Sequence, residues 1–524
     1  MRKADFDVAI VGCGPVGAVA ACLLGQAGIM TVVIDKTDVI YEMSRAVALD
    51  HEIARVLQSL GLAEAITPYV EPFTASEYYG VGGRLIKRLT MVPEPYPQAW
   101  TPSMVFMQPA VERLLRDRLA SIEFVELRLD QTVTGFEQGA DHVTLEMETT
   151  SGPDSLTARY VIGCDGASST IRKLAGLELE DLGFDQPWLV VDVLVNAQGL
   201  AKLPLTSVQY CEPERPTTFV ICTGNHRRWE MRLKDGEDRH LMETPAETWK
   251  LLSRWITPDD GVLWRSASYR FHALVARRWR NGRVFIAGDA AHQQPPFLGQ
   301  GLCQGIRDVA NLSWKLASVI KGQGSDRLLD TYGSERGSHV RKLTGIIKGI
   351  GMLIGERDPE RAVARDVRLI AEAGGTIKSV PRQDLMPGLD VGMLSRMEHA
   401  DRGSLFPQPW VETPLGRRRM DDVTGNSLRI VTTARDPSKR AMIETKAREI
   451  GAVCVFLSGN GVTADGNFDL RECDGLAQAW LERHGALAVL VRPDNYVFGV
   501  ASNASLLRGL ADEWREALAG PAPV

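Results

Sequence analysis

Asp289 closes a short apolar run, Val284-Phe285-Ile286-Ala287-Gly288, and leads into Ala290-Ala291-His292, a Pro295-Pro296 turn and the stretch Gly299-Gln300-Gly301-Leu302-Cys303. A carboxylate at a strand's end accepts hydrogen bonds from hydroxyls, such as those of a ribityl or ribose chain. A glycine loop that opens a helix offers free N–H groups and the positive end of the helix dipole, which together attract an anion. Gly288, Asp289, Gly299, Gly301, Leu302 and Cys303 are therefore candidates for holding a phosphorylated, hydroxyl-rich ligand. His292 and the carbonyl of Pro296 are candidates for handling a proton there, although a histidine in a loop is also commonly a satisfied structural group.

A second cluster stands at the N-terminus. Asp7 to Val11 reads as a buried strand, Gly12-Cys13-Gly14-Pro15-Val16-Gly17 follows at once, and a helix is expected from about Pro15 to Ala27. A second strand, Thr31 to Ile34, ends in Asp35 and Lys36. This is a dinucleotide fingerprint in its proper strand–turn–helix setting. Gly12 permits the turn, Gly14 lets a pyrophosphate approach, and Gly17 lets helix and strand pack. Asp35, 23 residues after Gly12, is in reach of a ribose 2′-OH and disfavours a 2′-phosphate. A third strand and turn, Tyr160 to Gly163 followed by Cys164-Asp165-Gly166, adds another polar glycine corner ahead of Arg172.

The three motifs, in this order, resemble the FAD-dependent aromatic-ring hydroxylases, the single-component flavoprotein monooxygenases that include p-hydroxybenzoate hydroxylase. The resemblance covers residues 5 to about 345. Gln209 to Thr218, His226 to Glu230, Tyr269-Arg270-Phe271-His272 and a long C-terminal extension are most similar to the 3-(3-hydroxyphenyl)propionate hydroxylase group. The resemblance implies FAD as cofactor, NADH or NADPH as co-substrate, O2, and hydroxylation of a phenolic acid ortho to its hydroxyl through a flavin C4a-hydroperoxide. It places Gly12, Gly14, Pro15, Val16, Gly17, Asp35, Lys36, Arg45, Gln108, Asp165, Gly166, Gly288, Asp289, Pro296, Gly299, Gly301, Leu302 and Cys303 at the cofactor. Cys303 stands where many relatives carry Asn, and Asp35 where Glu is commoner. Tyr210 and Tyr269 are expected as donors to the substrate, and Arg215 and Arg270 as partners for its carboxylate. A polyketide-tailoring or other phenol hydroxylase is the alternative. The Trp-x-Trp-x-Ile motif of tryptophan-type halogenases does not occur.

The elements that must position these residues suggest an α/β chain. Residues 1–180 and 273–383 read as a discontinuous Rossmann-type FAD-binding domain, and 181–272 as an inserted antiparallel-sheet substrate domain. Residues 384–426, rich in Pro, Arg, Asp and Gly, read as a linker. Residues 427–524 read as a thioredoxin-like domain without a CxxC, suited to packing or homodimer contacts. A net charge of −6 argues against nucleic-acid binding. No apolar leader and no stretch long enough to span a bilayer are evident, and the eight cysteines are scattered, so a reducing cytoplasm is expected.

Overall fold

The computed structural model describes residues 4–519 apart from Thr74, Lys378, Asn460 and residues 463–465. Five parallel strands form the spine of an eight-stranded sheet, in the order Val125–Arg128, Thr31–Ile34, Phe6–Val11, Gly152–Gly163 and Val284–Ile286. Their runs, such as VAIV and TVVI, are apolar throughout because helices or hairpins cover both faces of such a sheet. Ile34, Val11, Gly163 and Ile286 sit side by side in one register row. The three motifs distant in sequence therefore emerge from one sheet edge, the carboxyl end where α/β sheets bind ligands. Two helices start there: Pro15–Gln26, with Pro at its first turn, and the twenty-residue Gly301–Ile320.

A nine-stranded sheet faces this edge, running through His292–Gln293, Gly261–Ala276, Leu179–Val195, His226–Arg232, Thr217–Ile221, Ser207–Tyr210, Ser76–Tyr79, Leu85–Thr90 and Ser379–Pro381. Its side chains alternate between two faces. Leu189, Val191, Phe219, Trp229 and Met231 pack away from the cleft with Leu252 of the helix Pro245–Leu252. Gln209, Thr218 and Glu230 are neighbours in one register row on the other face. Residues 181–272, expected as the substrate sheet, are joined in it by strands at 76–79, 85–90, 292–293 and 379–381. They are short, lie near Pro-rich sequence, and owe their conformation to partners far along the chain, so no local period announces them.

The C-terminal unit is thioredoxin-like. Val453–Phe456 and Arg429–Thr432 pair in parallel, followed by the antiparallel strands Ala488–Val491 and Val497–Ala501, with the helices Pro437–Ile450 and Ala504–Ala519 packed together on the sheet. The linker expectation for 384–426 is also corrected. This segment holds the hairpin Trp410–Thr413/Gly416–Arg419 and the helix Met420–Thr424. Asp421 in that helix is buried between Arg55 (2.6 Å) and Arg429 (2.7 Å), which fastens the unit to the flavin-type domain. Glu335 does the same with Lys315 and Arg492, both at 2.8 Å. Most charges of the 384–426 segment remain at the surface, and Asp421 is the one drawn into a buried ion pair among the described residues. Among the described residues, no helix is long and apolar enough to cross a membrane.

Candidate active site

Between the parallel sheet's carboxyl edge and the polar face of the antiparallel sheet lies a cleft of about 370 Å³. Its first wall is the glycine corners. Gly12 has φ +105°, and a Cβ there would sit 2.5 Å from the carbonyl oxygen of Cys164. A Cβ on Gly17 would come within 1.9 Å of the Gly12 carbonyl oxygen, so only glycine lets this helix approach the strand. A Cβ on Gly14, Gly166 or Gly301 would meet nothing within 4 Å. All three line the cleft and leave backbone accessible to a ligand. Neither helix opening on this wall has an acidic residue in its first turn, so both dipole ends remain available to an anion. This surface fits a dinucleotide diphosphate.

The supporting bonds are local and short. Asp35 Oδ2 accepts the Cys13 N–H at 2.5 Å and Oδ1 accepts that of Thr37 at 3.1 Å, which fixes the first glycine turn. Lys36 is exposed beyond it. Asp165 accepts from the backbone of Thr170 and Ile171 at 2.7 and 3.0 Å, so its carboxylate caps a short helix while Gly166 faces the cleft. Gln108 Oε1 accepts the N–H groups of Arg45 and Ala46 at 2.9 and 2.7 Å and pins that loop beside the cleft. Arg172 donates to the carbonyls of Ala290 and Ala167, joining the second and third motifs. Cys303 is buried, and burial pushes its thiol well above the usual range.

Beneath Asp289 lies a buried cluster whose centre, Asp308, the sequence reading did not single out. Asp308 Oδ2 accepts the Gly288 N–H at 3.0 Å and lies 2.7 Å from His292 Nε2, while Arg336 Nε donates to Oδ1 at 2.9 Å. Burial alone would raise the Asp308 carboxyl, but His292 and Arg336 outweigh it and hold the group below the ordinary value. His292 is therefore corrected as a proton carrier. It is 1% exposed, packs on Trp279 and positions the Gly288–Asp289 corner from behind. The cleft side of the same stretch is formed by Gly288, Asp289, Pro296, Phe297, Leu298, Gly299, Gly301 and Leu302.

The other expected substrate contacts are corrected too. Tyr210 neighbours Gln209, and strand alternation turns it to the far face, where its hydroxyl accepts from Trp255 at 3.1 Å. Tyr269 is 41% exposed and does not line the cleft. Arg215 is taken by Glu237 at 2.6 Å, and Arg270 by Asp185 at 2.5 Å on the surface. The polar face instead presents Ser76, Gln209, Thr218, Arg228 and Glu230, with Arg382 from a distant segment. Asp192, 1% exposed, accepts from Arg228 at 2.8 Å and Arg265 at 2.7 Å and lies 2.6 Å from His226 Nε2. Arg228 also donates to the carbonyls of Ser44 and Arg45, which ties this sheet to the Arg45 loop.

A Rossmann-type sheet that shares one cleft with an antiparallel sheet is the architecture of a two-walled flavoprotein. Residues 5–345 match the family described as FAD binding domain, and residues 403–514 match the HcaD C-terminal domain. The chain is 36% identical to a protein of Rhodococcus jostii (strain RHA1) named probable NADH-specific resorcinol 4-hydroxylase, over 100% of this chain and 96% of that one. It is 34% identical to a 3-(3-hydroxy-phenyl)propionate/3-hydroxycinnamic acid hydroxylase of Burkholderia cenocepacia (strain HI2424), over 94% and 93%. The fold is shared with the flavin-dependent monooxygenase PieE, solved with FAD and substrate (TM-score 0.80, 21% identity, 98% of this chain and 100% of that one). It is shared equally with aklavinone-11 hydroxylase (TM-score 0.79, 22% identity, 99% and 100%). The chain belongs to the FAD-dependent aromatic-ring hydroxylases. It is a monooxygenase that uses FAD, NAD(P)H and O2.

Proposed function

We propose that this chain hydroxylates a small phenol bearing a short acidic side chain, of the 3-(3-hydroxyphenyl)propionate kind, ortho to the hydroxyl. Arg382 carries the acidic part of this reading. It lines the cleft and also a second cavity of about 250 Å³ beside it, and its guanidinium lies over the Phe73 ring at 4.6 Å. One nitrogen donates to the Leu298 carbonyl at 2.7 Å, and among the described residues no carboxylate pairs with it. Burial pulls its pKa down, the mark of a cation short of compensation. A guanidinium in that setting suits the planar, two-pronged bonding of a carboxylate. The name of the Burkholderia relative fits the same class, and that of the Rhodococcus relative favours NADH as reductant and an uncharged diol as the second reading.

The cofactor would lie along the first wall. Gly14, Pro15 and Val16 would take its diphosphate on the turn and close packing that Gly12 and Gly17 permit, with Asp35 and Lys36 at the adenosine ribose. Arg45, Gln108, Asp165, Gly166, Gly288 and Asp289 would hold the ribityl and phosphate groups, and Pro296, Gly299, Gly301, Leu302 and Cys303 the ring edge. When bound, FAD supplies the electrons drawn from NAD(P)H and the activation of O2. The chain supplies position, a positive helix end toward developing negative charge, and a cavity whose apolar part is walled by Phe73, Val220, Phe297 and Leu298.

The reading expects the phenol to license reduction of the cofactor, because a flavin always open to NAD(P)H would turn over without product. In stopped-flow mixing with NADH or NADPH, 3-(3-hydroxyphenyl)propionate should speed flavin reduction at least about tenfold, worth about 1.4 kcal/mol of barrier. Equal rates with and without any phenol would refute the gating. Acceleration by resorcinol but not by acidic phenols would select the second reading.

A further inference from the structure

Among the described residues, the side chains that the strands of this wall present are bonded within the protein except at Glu230, and Arg382, from a separate segment, is the unpaired cation described above. Thr218 Oγ1 donates to Gln209 Oε1 at 2.5 Å, Gln209 Nε2 reaches Ser76 Oγ at 3.4 Å, and Arg228 is committed to Asp192, Ser44 and Arg45. Glu230, next to Thr218 in the same register row, is 5% exposed and lines the cleft, and among the described residues no hydrogen bond reaches its carboxylate. A buried acid without a donor is costly unless a ligand provides one. A phenol entering between this wall and the glycine corners brings one O–H donor to a surface with one vacant acceptor. We propose that Glu230 is the group that takes the phenolic proton of the substrate, an inference that rests on the reading of the cleft as a phenol site.

The proton moves from the phenol oxygen to a carboxylate oxygen of Glu230, leaving a phenolate. With FAD and NAD(P)H electrons supplying activated O2, the phenolate ring carbon would give its electron pair to one oxygen as the O–O bond breaks, the other oxygen would leave as water after taking up solvent protons, and the ring would pass through a dienone. Loss of the ring C–H proton to water restores aromaticity, and Glu230 returns its proton to the ring oxygen, so the residue ends the cycle unchanged. Burial pushes the Glu230 carboxyl up to about 7; the neighbouring Arg228 guanidinium opposes this, Asp192 reinforces it and Arg265 opposes it. Arg45 and Asp289 on the opposite wall and Arg382 at the cleft's side also face it, and the adjacent Cys222 thiol, pushed up to about 12 by burial, stays neutral. A base titrating near working pH combines availability with driving force toward a phenol of ordinary pKa about 10.

The sign follows. Below pH 7 Glu230 is protonated and cannot accept, so single-turnover hydroxylation by the reduced FAD holoenzyme should rise with pH and level off above about 7. Glu230→Gln should slow that step about 100-fold at pH 8 and flatten the profile. Glu230→Asp should restore a pH-dependent rise. Gln keeps an acceptor for the phenol O–H, so FAD content should stay at the wild-type level and phenol Kd should move far less than the hydroxylation rate in Glu230→Gln, which a merely structural role would not permit. Each measurement uses both 3-(3-hydroxyphenyl)propionate and resorcinol. Wild-type protein that binds neither would overturn the phenol reading. Binding with a wild-type pH profile in Glu230→Gln, or a parallel loss of FAD, affinity and rate, would overturn the role of Glu230 alone.

Discussion

Asp308→Ala should cost about 3–5 kcal/mol of stability and release much of the flavin, because it strands a buried guanidinium. Arg336 is 1% exposed and, among the described residues, would keep only Gln304 as a partner, while His292 and the Gly288 N–H would lose their acceptor together. Gly288 and Asp289 hang on that N–H, so the damage should spread to the cofactor wall. Asp308→Asn preserves shape and one acceptor and should lose less. The pH dependence has a definite sign: a carboxyl held below its ordinary value of 3.8 contributes stability above that value and loses it only as the pH falls further. Thermal unfolding and the ratio of flavin to protein absorbance after purification are the checks. A folded Asp308→Ala protein with wild-type flavin content would contradict the positioning role.

Arg382→Met should leave flavin content intact and raise KM for 3-(3-hydroxyphenyl)propionate roughly 10- to 150-fold. A charge-assisted hydrogen bond contributes about 1.5–3 kcal/mol, and each 1.4 kcal/mol is a factor of ten. Resorcinol and cresols carry no carboxylate, so their KM should change less than about threefold. Methionine keeps most of the packing against Phe73, which separates charge from shape. A uniform loss across charged and uncharged phenols would assign Arg382 to packing.

The wall of glycine corners is legible in the sequence because its signals are contiguous. A glycine turn, the apolar strand before it and the helix after it run without interruption from Phe6 to Gln26, and local sterics dictate their arrangement. The substrate wall is not. Gln209 and Tyr210 are adjacent, and only the direction of the pleat decides which of them sees the cleft. Arg215 and Arg270 read as free cations in the sequence, but Glu237 and Asp185 pair with them in the fold. Arg382 carries no motif, and it reaches the cleft because the strand Ser379–Pro381 pairs with Leu85–Thr90 across nearly the whole flavin-type domain. Asp308 lies in plain helical sequence, and its weight comes from Arg336 and His292 arriving from elsewhere. Glu230 and Arg228 stood within a stretch that resembled known hydroxylases, yet the resemblance named no role for either. The hairpin and helix at 410–424 were hidden for a related reason: Arg55 and Arg429 neutralise Asp421 only in the folded chain.

The most direct test of the account is the product formed by the FAD-loaded protein with NADH, O2 and 3-(3-hydroxyphenyl)propionate, measured together with NADH and O2 consumed. The account predicts one dihydroxylated phenylpropionate, with the new hydroxyl ortho to the old, in near-equal amount to the NADH oxidised and with little hydrogen peroxide. NADH oxidation that yields only peroxide with this phenol, while resorcinol or a polycyclic phenol is hydroxylated in near-equal amount to NADH, would contradict it.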